Sequence, residues 1–229
     1  YLKDLNLLFD GKVKIDYFNE KINYYGNFYY ENLQSNINVE MTKKIAKFYL
    51  VSEPFKSLKF LKNFLHLPDI AESWMYDNVK GDIKIEELYA EYDLINNHII
   101  ENSIQGKAQI KDAKIRFHKD VDAVNTKSLD IFFKDNRLHF NLMEPMFKDK
   151  KLDGSFVLIN NLTSEKNGQV DVFLKTNSKL DKDILDILKA YNITLPIIQK
   201  NGNTQASLLM KFPYDTTKNM STYGEFFLN

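Results

Sequence analysis

Apolar and polar residues alternate with a period of two along most of this chain, and that pattern leaves few folds open. Val13, Ile15 and Tyr17 alternate with Lys12, Lys14 and Asp16. After an Asn19-Glu20 turn, Ile22, Tyr24, Gly26, Phe28 and Tyr30 repeat the pattern, and Ile37, Val39 and Met41 follow. Each run reads as a strand with one apolar and one polar face, and together they predict a β-meander. Ala108 and Ile110 keep one phase, whereas Ala113, Ile115 and Phe117 keep the other. The slip falls at Lys111-Asp112 and predicts a bulge or turn, because a one-residue shift moves the apolar set to the opposite face. Leu129, Ile131 and Phe133 match Leu138, Phe140 and Leu142 across the turn "KDNR". Residues 154–159 and 170–174 continue the series.

Three stretches leave this period. In "PFKSLKFLKNFLHLP", Phe55, Leu58, Leu61 and Leu65 recur at spacings of three and four. They predict a helix with Pro54 in its first turn and Pro68 at its end. A second short helix is expected over residues 70–79, carrying Trp74, the one tryptophan of the chain. Gly81 then opens a strand with Ile83 and Ile85. "DKDILDILKAY" predicts the last helix, with Asp181 as N-cap and Ile184, Leu185, Leu188 and Tyr191 on one face. It leads into Leu195-Pro196, Gly202 and a strand, the order already met at Leu67-Pro68 and Gly81. We read the two as copies of a degenerate long repeat, with sub-repeats 1–80 and 81–229 inside a single segment.

Composition narrows the function classes. Thirty-one basic and 31 acidic residues leave no formal net charge, and they interleave along the chain. Nucleic acid is not an expected partner, because its binders carry a clustered basic excess. The absence of cysteine excludes disulfides, thiolate metal sites and cysteine nucleophiles. No stretch approaches the ~20 apolar residues of a spanning helix. The chain opens at Tyr1 inside a strand-like region, so a longer protein is expected, with any anchor or export signal outside this segment.

Catalytic motifs are missing: no nucleophile elbow, phosphate loop, dinucleotide fingerprint or zinc-helix pair occurs. His66, His98, His118 and His139 are scattered. His118 and His139 read as histidines on the polar faces of neighbouring strands. His118, Asp120 and Asp122 alternate in "FHKDVDAV" and read as a solvated strand end rather than a metal site. Asn161, Asn192 and Asn219 fit the N-glycosylation pattern, a match expected by chance in an Asn-rich chain. No catalytic residue, metal or cofactor is therefore assigned.

Surface chemistry remains. Roughly ten strands carry an apolar face, and only about three short helices are available to cover them. The faces either cover each other in a closed β-sandwich or line a long groove in an open curved sheet. An acyl chain suits such a groove, since exposing ~16 carbons costs on the order of 12 kcal/mol at about 0.8 kcal/mol per CH₂. The pattern alone leaves both folds open.

"LPDIAESWMYDNVKGDIKI" resembles the Leu-Pro, Trp, Gly phrase of the AsmA-like proteins, specifically the YhdP branch. "IQGKAQIKDAKIRFHKDVDAVNTKSLDIFFKDNRLHFNL" is similar to that branch's repeated glycine, strand, Asp, strand and hairpin form. "KLDGSFVLINNL" and "YGEFFLN" fit its glycine-led strands, so the resemblance runs over residues 55–229. Met75 after Trp74, where leucine is common, and a shortened second Leu-Pro spacer depart from the pattern. The resemblance implies a mainly β fold with a few short helices: an elongated, curved antiparallel sheet forming an open apolar groove. It implies a non-enzymatic, periplasmic segment of an inner-membrane-anchored protein. Such a segment would carry phospholipid toward the outer membrane with partner proteins at both membranes. The groove-lining candidates become Ile83, Ile85, Ile110, Ile115, Phe117, Ile131, Phe133, Phe140 and Leu142. A capping corner is expected at Leu67, Pro68, Trp74 and Gly81, and again at Leu195, Pro196 and Gly202. The rival reading is a non-catalytic structural or protein-interaction β module of the cell envelope.

Overall fold

The computed structural model describes residues 7–59, 62, 67–162, 164, 167–197, 199–215 and 217–228. Among these residues the first strands are β1 (Leu8–Asp16), β2 (Lys21–Tyr30), β3 (Leu33–Met41) and β4 (Ile45–Ser52). Helix α1 (Asp69–Tyr76) precedes β5 (Val79–Asp93), β6 (His98–Ile99), β7 (Gln105–Ile115), β8 (Val124–Lys134) and β9 (Arg137–Met143). The short β10 (Met146–Phe147) and β11 (Lys150–Lys151) lead to β12 (Phe156–Asn160) and β13 (Gln169–Ser178). Helix α2 (Lys182–Ala190), β14 (Thr204–Pro213) and β15 (Ser221–Leu228) complete the order.

All fifteen strands belong to one sheet. Its main path runs β1-β2-β3-β4-β5-β7-β8-β9-β12-β13-β14-β15, every neighbour antiparallel. The predicted meander is thus carried through the whole molecule. The ends β1 and β15 do not pair, so the sheet is open. No second sheet faces it among the described residues, and the closed sandwich is set aside.

Register explains the core. Pairing places Leu88, Gly106, Phe133, Leu138, Ile159, Val170 and Phe212 in one row across β5 to β14. A parallel row holds Ile85, Ala108, Ile131, Phe140, Val157, Val172 and Met210. Both rows lie on the same, inner face, as the period of two requires. The hairpin across "KDNR" pairs Lys134 with Arg137, and Asp135 and Asn136 take φ of 52° and 57°. Two successive positive φ values suit the right-handed twist of the flanking strands.

The predicted slip is a bulge. Pairing of β5 with β7 shifts register between Lys80 and Asp82, where Gly81 faces the extra residue at Asp112. Asp112 has φ 49°, and Gly81 has φ 156°. A Cβ on Gly81 would stand 2.5 Å from the Ile110 Cγ2 and 2.7 Å from the Lys111 carbonyl oxygen, so only glycine fits. A second shift between Ile85 and Glu87 turns Leu88 and Ala90 inward.

The helices differ from expectation at one point. Phe55 is not in a helix: its N–H and C=O both bond Ile83, at 2.8 Å each way. Strand β5 outruns β4 at this end, and its free backbone groups recruit the extended chain at Phe55. Leu61, Leu65 and His66 of the predicted helix lie outside the described residues. Helix α1 does form around Trp74, slightly shorter than predicted. The Pro68 carbonyl accepts the Glu72 N–H at 2.9 Å, and acidic Asp69 and Glu72 complement the positive helix N-terminus. The α2 cap is as read: Asp181 accepts from the N–H groups of Asp183 and Ile184. Lys150, 5% exposed along its side chain, reaches Asp181 at 2.8 Å and ties the β10–β11 hairpin to the helix start.

The helices cover one half of the inner face. Ile184, Ile187 and Leu188 of α2 join the buried cluster containing Val157, Val170, Val172 and Met210. Leu185 sits at the margin of that stripe. Trp74 is 5% exposed, and its ring meets Phe117 edge-on at 5.7 Å. The Tyr191 hydroxyl donates to the Phe117 carbonyl oxygen at 2.9 Å. The loop at Phe117 thereby links α1 to α2. Strand β7 stops at Ile115, so Phe117 leaves the strand that its phase predicted.

Two predictions follow from this packing. Trp74→Ala removes a buried ring and is expected to destabilise the fold by about 3–5 kcal/mol in a urea titration. An unmoved transition midpoint would contradict its role as a plug. Burial pushes the Tyr76 hydroxyl up to about 12, and it also raises Tyr191 and Tyr214. Their neutral forms are favoured in the fold. Stability is therefore full below the unfolded value of about 10 and falls as pH rises from there toward about 12. Melting temperature measured from pH 8 to 12 should drop across that window, and Tyr191→Phe should flatten the drop.

Candidate functional site: an apolar trough

The inner face is not covered everywhere. Between α1 and Leu162 a trough of about 960 Å³ runs over β5, β7, β8 and β9. That volume lies at the upper end of the ~300–1,000 Å³ typical of small-molecule sites. Its floor is a furrow along β7, where Gly106 and Ala108 are flanked by Ile85 and Leu88 on one side and Ile131 and Phe133 on the other. The small side chains make the furrow, and their larger cross-strand neighbours make its banks. Met75 and Tyr76 of α1 close one end, and Leu58, Ile99, Ile104 and Leu162 contribute the walls.

Charge stays at the rim. Lys56, Lys59, Asp77, Lys80, Glu87 and Lys107 border the trough. Lys56 pairs with Asp82, Lys59 with Asp77 at 3.0 Å, and Lys107 with Glu86 at 2.7 Å. The Lys62 ammonium lies 5.0 Å from the centre of the Tyr76 ring. The Tyr76 hydroxyl is buried and has no hydrogen-bond partner in the protein. Among the described residues no charged partner for a polar ligand lies inside the trough, so what fits is apolar along its length with any polar group held at the edge.

Six of the nine groove-lining candidates come together here: Ile83, Ile85, Ile110, Ile131, Phe133 and Phe140. Ile83, Ile110 and Phe140 are nearly closed off beneath the floor, whereas Ile85 and Phe133 are half-buried and reachable. Ile115, Phe117 and Leu142 lie elsewhere. Ile115 and Leu142 are buried in the core, and Phe117 packs on Trp74. Leu88, Gly106 and Ala108 went unread as lining. The bulge at Glu86 shifts the phase that would have revealed Leu88, while small residues carry no apolar signal.

The two expected corners are built differently. At the first, Leu67 is buried, Pro68 precedes α1, Trp74 is a core residue and Gly81 forms the bulge. At the second, Leu195 packs partly on the core, Pro196 is exposed, and Gly202 turns the chain at φ 82° before β14.

The polar candidates do not converge. His118, Asp120 and Asp122 lie in the loop after β7, not on a strand. His118 packs on Tyr191 at 5.1 Å and its Nδ1 accepts the Asp120 N–H, while Asp122 pairs with Lys148 at 3.5 Å. His139 is on the outer face against Phe156. Among the described residues no cluster of three or more His, Asp or Glu side chains is placed to hold a metal ion. No helix among them is long and apolar enough to cross a membrane.

The family model described as "YhdP protein" matches residues 66–229, well over half of the chain. No curated protein and no solved structure matches it. The matched stretch takes in α1, every strand of the trough and α2. This chain belongs to the YhdP family of bacterial envelope proteins.

Proposed function

We propose that this chain is a segment of an intermembrane phospholipid conduit, carrying acyl chains along the inner face of its sheet in the periplasm. One observation carries the reading. Among the described residues the apolar inner face continues past the trough to β1, where Val13 and Ile15 are open to solvent. Pairing lines up Val13, Tyr24, Val39, Phe48 and Ala90, and Ala90 itself borders the trough. Val13 is 62% exposed and Ile15 51% exposed, both on the inner face. An apolar strip of this extent is a liability in water unless something apolar lies on it. Covering ~16 methylene groups recovers on the order of 12 kcal/mol for a bound chain. The rim lysines would keep a headgroup in water while their stems lie along the apolar edge.

Membership of the YhdP family supports an envelope setting. In the full-length protein the lipid would pass between partner proteins at the inner and outer membranes. The reading requires no catalytic residue and no cofactor. A protein-interaction module would use the same open face for a partner chain, and the following experiment separates the two.

A phospholipid with a fluorescent acyl chain should bind the purified chain and brighten as the probe enters the trough. Phe133→Asp places a charge on one bank, and Ala108→Trp fills the furrow. Each should weaken binding by at least about tenfold, since an uncompensated buried charge or lost trough volume costs more than ~1.4 kcal/mol. Thermal unfolding of the variants is the control, and it should show that the sheet persists. Unchanged lipid binding in both would overturn the assignment of the trough.

A further inference from the structure

The outer face of the sheet carries a second feature that lipid transport does not use. Cross-strand pairing sets Tyr25, Asn38, Tyr49 and Tyr89 in one row over β2 to β5, ending at Gln105 on β7. Beside it run Asn27, Asn36 and Val51. These residues alternate with the apolar inner set, so they point away from the trough. They line a shallow concavity of about 800 Å³.

Its chemistry is unusual for a solvated sheet face. Tyr25 is 52% and Tyr49 49% exposed. The Tyr49 and Tyr89 rings lie 4.7 Å apart at 46°, and the Tyr89 hydroxyl is held by the Glu91 carboxylate. Asn38 stands between Tyr25 and Tyr49, and its Oδ1 is shielded from water with no donor in the protein. An acceptor in that state lacks a hydrogen bond that a ligand can supply once an exposed ring swings aside.

We propose that this row is a glycan-binding platform for a linear β-1,4-linked chain of N-acetylhexosamines. Three features select that ligand. Tyrosine faces are electron-rich and attract the polarised C–H groups of a pyranose ring. Asparagine and glutamine amides each donate and accept, which matches hydroxyl and acetamido groups. Among the described residues no lysine or arginine lines the concavity, and Glu87 is its one carboxylate. The nearest basic side chains, Lys12 opposite Tyr25 and Lys107 opposite Glu87, stand at the two ends of the row, so an uncharged chain suits its middle. The row also runs across the strands, so its side chains recur at about the ~4.8 Å strand spacing, close to the pitch of successive sugar rings. Val51, 43% exposed, offers an apolar contact for an acetyl methyl group, and Asn38 Oδ1 an acceptor for the amide N–H.

The test is a titration of the purified chain with a β-1,4-linked N-acetylglucosamine hexamer, followed by NMR shifts and calorimetry. Saturable binding is expected, with shifts confined to β2–β5. Tyr49→Ala should weaken it about tenfold, the loss of one aromatic contact, while Tyr49→Phe retains it. Asn38→Leu should weaken the hexamer more than it weakens the glucose hexamer that lacks acetamido groups. Phe133→Asp, on the inner face, should leave glycan binding unchanged, so failure of the lipid reading and failure of this one are distinguishable. No saturable binding by the parent chain, equal binding by Tyr49→Ala, or binding only of a peptide partner at this face would overturn the proposal.

Discussion

Everything in this molecule depends on backbone register being kept across a sheet that does not close. Each strand between the two open edges of the main path satisfies its polar groups on two neighbours, and among the described residues no barrel closure or second sheet relieves the apolar face. Register then decides what that face becomes. One row runs from Leu88 through Gly106 and Phe133 to Phe212 without a polar residue. A shift of one residue anywhere along it would turn charged neighbours such as Lys107 or Lys134 inward. The bulges at Asp112 and Glu86 are part of this control. They absorb an extra residue in one strand and return the apolar phase to the inner side.

The inner face divides into a covered half and an open half. Under α2 the strands β12 to β14 are packed to exclusion of water, with Ile159, Val170, Val172 and Met210 fully buried. That half supplies most of the folding energy, on the ordinary scale of about 1.5–3 kcal/mol per buried aliphatic side chain. Toward β1 no helix lies over the sheet among the described residues, and Val13 and Ile15 face solvent. The trough sits at the boundary, closed on one side by α1 and open on the other. A rigid, well-packed half thus holds an exposed apolar surface in shape. A lipid carrier requires that combination, since exposed strips without support would collapse on themselves.

The meander, the "KDNR" hairpin, the Asp181 cap and the slip at Lys111-Asp112 were legible because each rests on local pattern. Alternation, turn residues and caps are written in neighbouring positions. The open sheet was not legible in that way, because strands that cover one another and strands that stay uncovered have the same period. Choosing between them took the family resemblance. The start of the helix expected at Phe55 was misread for a different reason: β5 outruns β4, and a backbone vacancy distant in sequence drew Phe55 into a bridge. Phe117 kept strand phase yet left the strand, because Trp74 and Tyr191 offered it a better contact. The furrow along Gly106 and Ala108 carried no signal at all, since a groove is marked by what its floor lacks. Tyr25, Tyr49 and Tyr89 of the outer row carried no signal of their own, because only register sets them in one line.

The most direct test of the open trough is native mass spectrometry of the purified chain, paired with lipid extraction of the same sample. A trough that carries acyl chains predicts phospholipid co-purifying at a defined stoichiometry and released as the protein unfolds. A clean, lipid-free mass with no adduct after incubation with phospholipid vesicles would contradict it.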